Sequence, residues 1–104
     1  MQKTPLMIRC YSLATHEEIM IKVEGESVGG LFPGFNFFIH PDPLDPDRWN
    51  ISEEKSGIAV AGASSKDFAI KKAKEILRTN RDRFPSIVNE AIERNKQLFP
   101  QLNP

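Results

Sequence analysis

The chain has 104 residues with 14 Lys+Arg and 14 Asp+Glu, so its formal charge is zero; 39% of its residues are hydrophobic and 27% charged. That balance fits one soluble domain, 1–104, and excludes a disordered chain as well as a uniformly basic nucleic-acid binder. No apolar run nears the roughly 18–20 residues of a membrane span, the start shows no apolar leader core, and the single Cys10 forbids an internal disulfide; no membrane contact and a reducing, cytoplasmic location are expected.

Residues 1–61 alternate as strands do. Residues 6–13 read as a first strand, joined through a polar turn at 14–18 to a second in which Ile19, Ile21 and Val23 interleave with Met20, Lys22 and Glu24. The stretch 24–34 holds Gly25, Gly29, Gly30, Gly34 and Pro33 and reads as a flexible loop. Phe35, Phe37 and Ile39 alternate again, placing Phe38 on the opposite side. Residues 41–46 hold three prolines and read as a rigid connection. Trp49 and Ile51, then Ile58 and Val60, flank a polar turn at 53–57 in which Glu53 and Glu54 are expected to face solvent.

After Gly62 the period becomes helical. Ser64 with Asp67 resembles a capping box, and Ala69, Ile70, Ala73, Ile76 and Leu77 form one stripe that Asn80 would end in a left-handed conformation. Asp82 reads as the cap of a second helix, whose first turn tolerates Pro85 and whose stripe is Ile87, Val88, Ala91, Ile92, Leu98 and Phe99. The helical part thus spans 64–99 and leaves a short, frayed tail at 100–104. The fold class expected is α+β: an antiparallel sheet of about four or five strands packed against two C-terminal helices.

The zero charge hides an asymmetry. Residues 1–60 carry nine acids against five bases, and residues 61–104 carry nine bases against five acids, so the halves stand at −4 and +4. The bases concentrate in 65–83. Either they form an anion-binding face, or the halves attract each other on folding.

Catalytic and metal chemistry find little support. His40 with Asp42, Asp45 and Asp47 offers a divalent cation one imidazole and three carboxylates, but the calcium-loop glycine and distal Glu are missing, and Asp and Pro are ordinary turn residues. A structural loop is therefore expected there. The glycines of 25–34 lack the Lys-Ser/Thr ending of a phosphate cradle, and no residue pattern asks for a cofactor. Cys10 reads as a small apolar residue within a strand and His16 as solvated; a pair of Cys10 with His16 or His40 is conceivable in space, but nothing in the sequence requires it.

Two features point to binding instead. Phe32 and Phe38 are surplus to a one-sided core and either form a partner surface or are covered by the second helix or the glycine loop, the latter being favoured for Phe38. Gly62-Ala63-Ser64-Ser65-Lys66 leads into the first helix, where hydroxyls and free N–H groups favour an anion, and Lys66 opposes the helix dipole. Lys66, Lys71, Lys74 and Arg78 recur at helical spacing. Over residues 57–80, Ser65-Lys66, Ala69, Ala73 and Leu77 resemble the closing strand and helix of double-stranded RNA-binding domains, and the same passage is similar to HicB-type antitoxin domains. The first resemblance implies lysines presented to duplex phosphates; the second implies a related sheet-and-helix fold that binds a partner protein. Asp67 and Ile70 stand where the RNA-binding pattern prefers Lys.

The function expected from these residues is a small non-enzymatic interaction module that binds a partner protein or self-associates. The alternative is a nucleic-acid-binding module using Ser64, Ser65, Lys66, Lys71, Lys74 and Arg78.

Overall fold

A computed structural model describes residues 3–99. Strands β1 (Lys3–Tyr11), β2 (Glu18–Val28), β3 (Phe37–Asp42), β4 (Asp45–Glu53) and β5 (Ala59–Ala63) are followed by helices α1 (Lys66–Thr79) and α2 (Phe84–Leu98). The strands form one sheet in chain order, every neighbour antiparallel, as their short connections require. The architecture is the expected α+β sheet with two C-terminal helices. No described helix is long and apolar enough to cross a membrane. The tail at 100–104 lies outside the described residues.

The period of two sorts the apolar residues onto two faces. On one, Phe37, Ile39, Ile51, Ala61 and Ala63 meet Ala69, Ala73 and Leu77 of α1 and Phe84 and Val88 of α2 in the main core. The small Ala pairs let α1 lie close on β5. On the other face Leu6, Ile8 and Phe38 form a second cluster with Ile21 and Val23. Arg9 donates its backbone N–H to Gly57 O at 2.8 Å, bringing the outer edge of β1 against the turn after β4, so the sheet curls around this cluster. At the far end of the β1–β2 hairpin, Glu18 accepts from Arg9 (2.9 Å) and from Arg94 of α2 (3.2 Å). Burial pushes the Glu18 carboxyl up, but the two guanidiniums outweigh it and hold it below its ordinary value.

Several local expectations are corrected. Residues 24–28 are strand rather than loop: 24–26 pair with β1 and 26–28 with Phe37–Ile39. Gly25 serves close approach there: a Cβ would lie 3.0 Å from Phe38 Cβ and 3.1 Å from Ile39 O. The cap of α1 is Ser65, not Ser64; its hydroxyl accepts from Phe68 N at 3.2 Å, which leaves Asp67 inside the first turn instead of at the reciprocal position. Asn80 stops α1 without a left-handed backbone (φ −106°), by donating its side-chain amide to Ile76 O at 2.8 Å. Asp82 does not cap α2, whose first turn begins after Arg83 with Pro85 in it. Leu98 is exposed, so the α2 stripe buries Phe84, Val88, Ala91 and Phe99 instead.

The largest correction concerns Glu53. Expected in solvent, it is fully buried, because its carboxylate caps the β4–β5 turn: Oε1 accepts from Ser56 N (2.8 Å) and Ser56 Oγ (2.7 Å), and Oε2 from Lys55 N (2.7 Å). Three donors replace the water that burial removes. Glu54 does face outward, accepting from Asn36.

Candidate binding groove

The first helix holds the candidate cations, and its two ends treat them differently. Lys66, at the N-terminal end, reaches back to the sheet: its Nζ lies 3.3 Å from Glu26 Oε1 and 4.6 Å from the centre of the Trp49 ring. This explains a lysine at a helix start that the dipole disfavours. Ser65 is used as the cap, and Ser64 is exposed beside it. Lys72 donates to Gly62 O. Lys71, Lys74 and Arg78 are exposed, and none of them pairs with a carboxylate among the described residues.

Toward the C-terminal end of α1, two candidates that are far apart in sequence come together. The β2–β3 loop lies alongside the helix and leaves a groove of about 440 Å³ between them. Its apolar lining is Leu31, Phe32, Pro33 and Leu77; its charged lining is Lys74, Arg78 and Arg81. Lys74, Arg78 and Arg81 follow at spacings of four and three, which stacks them along one side of the helix and its exit. The loop can turn alongside the helix because Gly30 and Gly34 hold φ of 74° and 85°. Phe32 is fixed by Phe35 and Phe84, ring centres 5.5 and 5.1 Å away. Phe38 is not part of this surface: it is 6% exposed, inside the second cluster.

Among the described residues no carboxylate lines the groove, so three positive charges surround an apolar floor without internal neutralisation. Such a site attracts an anionic group and rewards an apolar one beside it. Helical spacing does not single out Arg81, which follows the helix; the turn at Asn80 brings it to the groove. A smaller cavity of about 160 Å³ lies between the β1–β2 hairpin and α2, lined by Met7, Met20, Ile92, Asn95 and Phe99 with Glu54 and Lys55. One acid and one base give it no charge with which to select a ligand.

His40 does not join Asp42, Asp45 and Asp47; its ring is buried, with Nδ1 2.8 Å from Pro41 O and Nε2 2.8 Å from Ser52 Oγ. The carbonyl contact fixes the proton on Nδ1, so Nε2 accepts from the Ser52 hydroxyl. Burial holds the imidazole below its ordinary pKa, opposed by the Pro41 carbonyl and the Asp42 charge. This is the arrangement of a base and a hydroxyl nucleophile, which arises because His40 and Ser52 are diagonal neighbours on β3 and β4. Both residues are 1% exposed, and the pair lies inside the sheet. Cys10 is half-buried, and neither histidine meets it: His16 lies against Tyr11, whose hydroxyl is 3.5 Å from Nδ1. Among the described residues no cluster of His, Cys, Asp and Glu is arranged to hold a metal ion.

Compared with models of protein families, with curated proteins and with solved structures, the chain matches none.

Proposed function

We propose that the chain is a small non-enzymatic interaction module, and that the groove between the β2–β3 loop and α1 is its binding face for an acidic, apolar-bearing segment of a protein. The observation that carries this reading is the set of three cations, Lys74, Arg78 and Arg81, unpaired with any carboxylate among the described residues, around Leu31 and Phe32. Arginines bind carboxylates through two parallel hydrogen bonds, and an apolar side chain laid on Phe32 adds desolvation that the charges alone lack. The half-buried thiol of Cys10 suits a reducing, cytoplasmic setting. Fluorescence polarisation with a labelled peptide carrying Leu among aspartates tests it. Binding that weakens with salt, and is lost in Arg78→Glu/Arg81→Glu, supports the reading; equal binding of the peptide with Asn for Asp overturns it.

A second reading, nucleic-acid binding, rests on the exposed run Lys71, Lys74, Arg78 and Arg81, with Lys66 engaged by Glu26 and Trp49. The apolar floor offers a phosphate backbone nothing, and the zero net charge supplies no long-range attraction. A duplex RNA or DNA shifted at low salt, with affinity falling steeply as salt rises, would favour this second reading over the first.

A further inference from the structure

The end of the sheet opposite the groove carries the groove's complement. The β3–β4 hairpin turns at Pro43-Leu44 between the paired Asp42 and Asp45. Leu44 is 52% exposed at the tip. Asp42, Asp45 and Asp47 flank it along the chain, with Arg48 the nearest base in sequence. The tip is held in shape before any contact forms: Asp42 Oδ1 accepts from Leu44 N at 2.9 Å, and Asp45 Oδ1 accepts from Asp47 N at 3.1 Å. Pro41, Pro43 and Pro46 remove further freedom, so little entropy is left to lose on docking. One apolar side chain among three carboxylates faces, at the other end of the molecule, an apolar floor among three cations.

A chain cannot join its own two ends. Trp49 pairs with Pro41 near the tip, and Lys66 at the start of α1 lies over Trp49, whereas the groove is formed at Lys74 to Arg81. The length of α1 from Lys66 to Arg78, about 18 Å at 1.5 Å per residue, separates them. We propose that the occupant of the groove is the β3–β4 tip of a second copy of this chain. Two copies lying side by side in opposite directions place each tip in the other's groove. Leu44 then rests on Leu31 and Phe32, and the aspartates meet Arg78, Arg81 and Lys74. The two contacts are equivalent and the pair closes as a dimer. This proposal rests on the groove reading above and names its partner.

The test is a charge swap read by sedimentation equilibrium. The wild type is expected to show a concentration-dependent dimer that salt weakens. Arg78→Glu/Arg81→Glu and Asp45→Lys/Asp47→Lys are each expected to lose the dimer alone, and an equimolar mixture to restore it, because the reversed tip then fits the reversed groove and the native tip the native one. Circular dichroism checks that each variant is folded; if the tip variant is not, Leu44→Ser, at a residue 52% exposed and outside both core clusters, serves in its place and must weaken the dimer. A wild type that stays monomeric, or a mixture that stays monomeric, overturns the proposal. If the wild type is monomeric yet still binds the acidic peptide through Arg78 and Arg81, the partner is wrong and the groove reading stands. If the groove variant dimerises and binds peptide like the wild type, both fall.

Discussion

At the end of the sheet where β2 passes into β3, Phe84 gathers Phe32, Phe35 and Phe37 with ring centres 5.1 to 5.8 Å away, and the buried Glu53 carboxylate holds the neighbouring turn. At the end where β3 passes into β4, three prolines and three aspartates make a hairpin with Leu44 in solvent. The first end is where stability resides, and the groove is built directly upon it. The second contributes little to the core and keeps its shape through local hydrogen bonds. Damage to the groove's support therefore confuses folding with binding, whereas the tip can be changed with the fold intact.

Mutations should separate the two ends by size of effect. Phe84→Ala removes the ring on which three others rest and is expected to cost about 3–5 kcal/mol, read from the urea midpoint, and to loosen Phe32 in the groove wall. Glu53→Gln preserves shape but turns an NH₂ toward backbone donors; a loss of about 2 kcal/mol is expected in the same measurement, without change in peptide affinity.

Toward the tip end the effects are smaller. The folded His40 binds its proton less readily than the unfolded chain, whose ordinary value is about 6.5. Its contribution to stability is thus complete above that pH and is lost as pH falls below it toward the folded value. Unfolding free energies measured across that window should decline in the wild type, and the decline should lessen in His40→Gln. The smallest effect belongs to Lys66→Ala. Its ion pair with Glu26 and its contact with Trp49 are partly exposed, so about 1 kcal/mol or less is expected in thermal unfolding, with peptide binding retained. A loss of binding in Lys66→Ala would erase the distinction drawn between the two ends of α1.

Much of the fold was legible because burial imposes a period. Ile19, Ile21 and Val23 had to be strand, and Ala69, Ala73 and Leu77 had to be helix, whatever surrounded them. Gly25 misled because glycine marks both loops and close backbone contacts, and only the position of Phe38 against it tells which. Glu53 misled for a similar reason: a carboxylate next to a turn belongs in water unless the turn's own N–H groups replace the water.

The sequence by itself determined the α+β order of elements, the opposite facing of Phe37 and Phe38, and the division of charge into −4 and +4, since each depends on spacing along the chain. Only the tertiary structure decided which of those charges are spent. Lys66 is engaged by Glu26, forty residues earlier, while Lys74 and Arg78 meet no carboxylate among the described residues and stand beside Phe32 and Arg81. Those outcomes depend on how the helix lies across the sheet, a distance through space that periodicity does not encode.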